Sequence, residues 1–262
     1  MFNTIIVQPL INLLVIFYSA FGDFGLAVIA ITILVRAMIW PLFAKSLHSQ
    51  KALKAIQPEI EKLNKKYKDD PKAKQKALTE LYKEKEVNPF SSCLPTLLQL
   101  PILIGLYWVF VKFGNPEFVK LSGSPQSITS ELYNFVKNLP FVQSALSQGT
   151  IDTTFLGIVD LAKPSHVLAI LAGVSQLVQT KFIAPKEPEQ GAQQMMTKTM
   201  YLFPILTVVI SWNLPSALPL YWGVSTSIAA FQQYLIMHKE VSLFEHIGIN
   251  KLKEKVTSKK KK

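Results

Sequence analysis

Cysteine and arginine each occur once in this 262-residue sequence, as Cys93 and Arg36. A lone cysteine excludes a disulfide framework and a cysteine-based zinc site. Four histidines, at 48, 166, 238 and 246, lack metal-ligand spacing, so no metal site is expected. There is no GxGxxG, P-loop, GxSxG or HExxH motif. That leaves no standard catalytic signature and no cofactor cradle, and the chain does not read as an enzyme. Charged residues are scarce too, at 17% where about 25% is usual for a soluble domain. The opening MFNTIIVQPL has no basic region, and neither a small-residue cleavage site nor a lipobox cysteine follows it. No cleaved signal peptide is expected.

What is present is apolar and basic. Hydrophobic residues make up 49% of the chain and mean hydropathy is +0.26, yet the formal charge is +11. The charge is segregated. Of 28 lysines and arginines, 12 lie from Lys45 to Lys85 and 8 from Lys239 to the end, while 24–35, 94–111 and 199–238 hold none. Clustered basic blocks between apolar runs are the composition of a polytopic membrane protein with basic loops, not of a nucleic-acid-binding globule. There is also too much apolar sequence for disorder.

A spanning helix needs about 20 mostly apolar residues. The first apolar region, Ile5 to Ala44, is too long for one span and is divided by the turn-like Gly22-Asp23-Phe24-Gly25. The first span is placed at 24–44. Residues 1–22, with Gln8, Pro9 and Asn12, read as an interfacial helix, with a second span as the alternative. In the lysine-rich segment 45–90, Leu53, Ile56, Ile60, Leu63 and Tyr67 form an a/d stripe along one helix. Asp69-Asp70-Pro71 breaks it, and Ala77, Leu78, Leu81 and Tyr82 mark a return helix. The expectation is an antiparallel helical hairpin whose first arm, about 23 residues, reaches roughly 35 Å. Further spans are expected at 94–112, 165–183, 199–213 and 216–238. Between them lie a long loop at 113–164 and a short one at 184–198, and a basic tail fills 239–262.

Lysine counting orients the chain. With the hairpin, the 181–198 segment and the tail in the cytoplasm, 23 of the 28 basic residues lie on that side. The opposite side holds Lys112, Lys120, Lys137 and Lys163. The fold class is therefore an all-α polytopic membrane protein with five transmembrane helices, an interfacial N-terminal helix and a cytoplasmic helical hairpin. Its N-terminus is outside and its C-terminus cytoplasmic.

Arg36 sits in the middle of the first span, where an arginine costs about 2.5–3.5 kcal/mol if it faces lipid. No Asp or Glu lies in any of the five spans, so a structural ion pair there is excluded. Thr32, one turn earlier, shares its face. Gln99, Ser175, Gln176, Gln179, Thr207, Ser211, Ser225 and Ser227 offer neutral polar groups from other helices. A cation ringed by neutral polar groups implies a hydrated groove that attracts acidic or amphipathic segments. The competing reading has Arg36 snorkel toward the cytoplasmic interface, about 13 Å away near Lys45.

The ordered motifs QPLINLL, VRAMIWPL, the lysine hairpin, NPFSSCLPTLLQLPILIGLYW and NLPSALPLYW resemble the YidC/Oxa/Alb membrane-protein insertases over residues 5–240. The resemblance implies five core spans, an outer interfacial helix, a cytoplasmic hairpin and a hydrophilic groove. It implies that hydrophobic segments of nascent membrane proteins are received in the groove and released laterally into the bilayer without nucleotide hydrolysis. By motif position, Arg36 resembles the groove arginine, Thr32 and Trp222 resemble positions lining the path, and Gln99 and Gln179 join them as groove candidates. The large extracytoplasmic domain and lipoprotein cysteine of some members are absent, and the 113–164 loop is longer than the family's short connection. The resemblance also implies a bacterial cell membrane location and admits a Sec translocon as partner.

Two basic features stay open between readings. Lys51, Lys54, Lys62, Lys65 and Lys66 of the hairpin are candidates for partner contact, while a solvated, topology-fixing face suits anionic headgroups equally. The tail KLKEKVTSKKKK can contact ribosomal RNA phosphates or simply anchor topology. A rival from another class is a small anion transporter or channel built on Arg36.

Overall fold

The computed structural model describes residues 1–88, 94–119, 127–183 and 192–238, with side chains at 50, 51, 54, 94–96, 183, 192–197 and 236–238 excepted. Cys93, the 184–191 linker and the lysine tail lie outside the described residues.

A π-helical turn at Asn3–Val7 runs into α1 (Gln8–Phe21), and α2 follows at Phe24–Ala55. The break between them is chemical. Gly22 takes the left-handed conformation at φ 70°, which closes α1 with its N–H on the Tyr18 carbonyl. Asp23 then accepts the Leu26 N–H at 2.8 Å and starts α2. With 32 residues, α2 extends about 48 Å and so exceeds a ~30 Å hydrocarbon layer. Asn3–Phe21 and Phe24–Ser49 are the two stretches among the described residues long and apolar enough to cross a membrane, and Leu97–Phe113 and Lys198–Ser211 are shorter apolar helices.

The expected single arm at 45–67 is two helices. α2 continues through Lys45 to Ala55, the chain kinks at Ile56 (φ −92°, ψ 2°), and α3 (Gln57–Lys66) restarts with a proline in its first turn. Pro58 has no N–H to give the previous turn, so the stripe from Leu53 to Tyr67 bends there. A turn leads to α4 (Pro71–Glu84), capped by Asp70, whose carboxylate accepts the Lys72 and Ala73 amides at 3.1 and 3.0 Å. A Lys85–Glu59 pair at 2.9 Å ties the end of α4 to the start of α3, so the two run antiparallel.

The next apolar helix is α5 (Leu94–Phe113). After it, the described part of the long loop is folded. Short helices α6 (Pro116–Val119), α7 (Ile128–Glu131), α8 (Asn134–Lys137) and α9 (Pro140–Leu146) precede a two-stranded hairpin, β1 (Thr154–Phe155) and β2 (Val159–Asp160). The chain then forms α10 (His166–Ile183), α11 (Ala192–Ser211) and α12 (Ala217–His238). α12 packs against both α10 and α2, and α11 lies on α10. There Gly173 brings the helices so close that a Cβ would meet Val208 Cγ2 at 2.3 Å. One continuous core joins α1, α2, α5 and the start of α12 to Phe118, Ile128, Leu132, Val136, Val142, Ile151 and Leu161 of the folded loop.

Candidate functional site

α2 and α12 bring together the residues of a polar seam. On α12, Tyr221, Ser225, Ala229 and Gln232 recur at helical spacing and are all buried. Arg36 of α2 faces this row, and its Nε donates to Ser225 Oγ at 2.8 Å. Its guanidinium carbon lies 5.7 Å from the centre of the Phe43 ring, two turns toward the C-terminal end of α2. The side chain leans along α2 toward Phe43 and bonds across to α12. It has no carboxylate partner among the described residues.

Gln99 of α5 extends the row by donating from its side-chain amide to the Tyr221 hydroxyl. Three helices thus contribute to one chain of groups, Gln99, Tyr221, Ser225 and Arg36, with Tyr221 1% exposed. Farther along α12 the side-chain oxygens of Gln232 and Gln233 are buried with no partner among the described residues. Buried amide oxygens are costly to leave unpaired, and the large majority of buried side-chain polar atoms find a partner.

The other groove candidates are placed differently. Thr32 is fully buried and donates to the Val28 carbonyl of its own helix at 2.6 Å, so its hydroxyl is already committed. Trp222, next to Tyr221, is partly buried against the core. Gln179 is half-buried on α10. Gln176 is not at Arg36: it accepts from Thr207 and joins α10 to α11. Lys62, Lys65 and Lys66 are exposed on α3, with Lys66 Nζ 5.1 Å from the Tyr67 ring centre. The side chains of Lys51 and Lys54 lie outside the described residues.

Sequence reasoning missed Tyr221. Its signal lies one turn before Ser225, on a helix whose serines the sequence already marks as polar groups. It also missed Asn12, read as a residue unsuited to a span. Asn12 is 3% exposed and binds the loop: its amide donates to the Gln8 and Glu131 carbonyls at 2.8 and 3.0 Å, and its oxygen accepts the Tyr133 N–H at 2.8 Å.

The seam can hold a cation in a partly polar interior without neutralising it and can offer hydrogen bonds to a polar chain. A protein named membrane protein insertase YidC from Oleidesulfovibrio alaskensis is 32% identical over 237 residues, 90% of this chain and 39% of that one. A protein of the same name from Francisella tularensis subsp. novicida is 34% identical over 220 residues, 84% of this chain and 33% of that one. The chain spans about a third to two fifths of the length of these curated relatives. A solved structure, an active YidC insertase crystal structure with the first transmembrane domain resolved, superposes with TM-score 0.57 at 26% identity, covering 87% of this chain and 45% of that chain. The family model described as 60Kd inner membrane protein matches residues 16–242, and the chain belongs to that family.

Proposed function

We propose that this protein is a membrane-protein insertase of a bacterial cell membrane. In this reading α2, α5, α10, α11 and α12 are five spans, α1 lies at the outer interface, α3 and α4 form a cytoplasmic hairpin, and no nucleotide is hydrolysed. Two relatives and a solved structure bear the insertase name, and the lysine distribution supports the orientation. The observation that carries the mechanism is Arg36 bonded to Ser225 across two apolar helices, with no acid beside it among the described residues. A cation kept charged among neutral donors and acceptors suits a hydrated groove. The unpaired oxygens of Gln232 and Gln233 carry that polar character farther along α12.

A hydrophobic segment of a nascent protein enters with its polar flank at the seam and leaves sideways into lipid. Burial of its apolar surface, about 25 cal/mol per Å², drives the transfer. The exposed lysines of α3 and α4 meet the incoming chain or anionic headgroups, and the ribosome and a Sec translocon are partners through the cytoplasmic face. No specific observation favours the anion-transporter alternative.

Crosslinking of a stalled nascent membrane protein tests the proposal. A photoreactive residue at Gln99 or Trp222 should capture the substrate, while one at Val209, 64% exposed on α11, should capture lipid. Arg36→Ala should reduce insertion and Arg36→Lys should retain it. Capture at 209 with none at 99 or 222 would falsify the groove.

A further inference from the structure

The loop hairpin carries an apolar tip that neither the core nor the polar seam uses. Thr154 stands opposite Asp160 and Phe155 opposite Val159. The turn between them is Leu156-Gly157, both left-handed at φ 51° and 67°, closed by Ile158 N–H on the Phe155 carbonyl at 3.0 Å. Two consecutive left-handed residues form a tight hairpin turn whose first position favours Asn, Asp or Gly. A leucine there is strained by its Cβ. Burial within the protein does not offset that strain, because Leu156 is 60% exposed. Ile158 is 81% exposed, more than any other large hydrophobic described except Met1. From Thr153 to Val159 the chain has no charge, while Asp152 and Asp160 stand at the base.

The base is fixed on several sides. Asp23 accepts the Leu156 N–H at 2.6 Å. Phe155 fills the space over Gly25, where a Cβ would lie 2.0 Å from its ring. At the start of α12, Ser216 and Ala217 donate to the Lys163 and Leu161 carbonyls at 2.9 and 3.0 Å. The tip is thus held at the level where α2 and α12 begin. The exposed apolar surface of α2 starts there, with Leu26 38% and Ile33 53% exposed, and Phe21 at the end of α1 is 52% exposed.

We infer that Leu156 and Ile158 form an interfacial anchor that enters the outer leaflet at the headgroup–acyl boundary and sets the depth of α2 and α12. The inference rests on the reading of α2 as a span, because it continues that helix's lipid-facing surface around its outer end. An uncharged tip on a charged base suits a lipid surface, where apolar side chains are buried and the polar base stays hydrated.

The test uses the full chain in lipid nanodiscs with Cys93→Ser and one new cysteine carrying the fluorophore NBD. Labels replace Ile158 or Leu156, Ser147 as an exposed site elsewhere in the loop, and Ile33 on α2. The expected result at 158 and 156 is blue-shifted emission, quenched several-fold more by spin-labelled lipid than by iodide, with the reverse at 147. Water-like emission at 158 and 156 with lipid quenching retained at 33 overturns the anchor alone. Iodide quenching at 33 as well overturns the spanning reading together with the anchor.

Discussion

The folded loop after α5 and the shorter helix pair α3–α4 are put to opposite uses. The loop gives seven residues to the main core, from Phe118 to Leu161. Its backbone is pinned by side chains far off in sequence, Asn12 to Glu131 and Tyr133, and Tyr18 to the Asp152 amide at 3.0 Å. In α3 no residue is buried, and in α4 Leu81 alone is. The pair α3–α4 spends its residues on charge and keeps a thin seam, held by the Asp70 cap, the Lys85–Glu59 pair and a few contacts between the helices. The loop spends few on charge and becomes a layer of the fold. Rigidity at one end and a loosely attached basic arm at the other is the division the proposed function needs.

The comparison breaks most sharply at Asn12. Asn12→Leu leaves the Tyr133 amide and one bond to the Glu131 carbonyl without their partner, at a cost of about 2–4 kcal/mol. The thermal midpoint in detergent should fall, and proteolysis should cut the loop before it cuts α3–α4. Equal cutting of the two regions would remove the distinction between them. Gly25→Ala comes next. The new Cβ overlaps the Cβ and ring of Phe155 and must displace the hairpin, costing about 1–3 kcal/mol by overpacking. Its mark is faster exchange at the Leu156 amide with the α4 amides unchanged.

Much of the helical layout was legible because hydropathy, glycine and proline act locally. Gly22-Asp23 reads as a boundary from its chemistry, and the structure puts a left-handed cap and an Asp cap there. Pro58 was equally readable, yet the apolar stripe ran through it and suggested one arm. Periodicity describes which face is apolar and says nothing about whether the axis stays straight. The folded loop was not legible because its order comes from partners more than a hundred residues away, and no local pattern encodes an amide meeting them. At the seam, Arg36, Gln99 and Ser225 were found by their rarity in apolar surroundings. Tyr221 was not, since tyrosine in an apolar helix is ordinary until its hydroxyl is seen between Gln99 and α2.

A smaller effect sharpens the contrast from α3–α4. Leu81→Ala removes the one buried side chain of α4. The seam it leaves is shallow and can collapse, so the cost should be about 1–2 kcal/mol, below the 2–5 usual for a core leucine. Hydrogen exchange should quicken in α3 and α4 and stay unchanged in the loop. A drop in the global midpoint as large as that of Asn12→Leu would mean that the helix pair belongs to the main cooperative unit.

The smallest effect is one of pH, and its sign differs between ionisable groups. Burial pushes the Asp160 carboxyl up, but the Lys163 ammonium, the Thr153 hydroxyl and the Ala162 amide outweigh it and hold the group below its ordinary value. A carboxyl held low in the folded state stabilises above its unfolded value near 3.8, and that contribution is lost as pH falls through the folded value. The hairpin base should therefore loosen in strong acid, and Asp160→Asn should flatten that response in the exchange of the Ala162 amide. Lys163 beside Asp160 and Lys85 beside Glu59 are both raised, chiefly by the hydrogen bond to the carboxylate. Their contributions are present below about 10.5 and are lost as pH rises through the higher folded values. Alkali should thus act on both ends of the molecule. The acid response of the Ala162 amide belongs to the loop, because there a carboxylate is tied at once to a cation, a hydroxyl and a backbone amide.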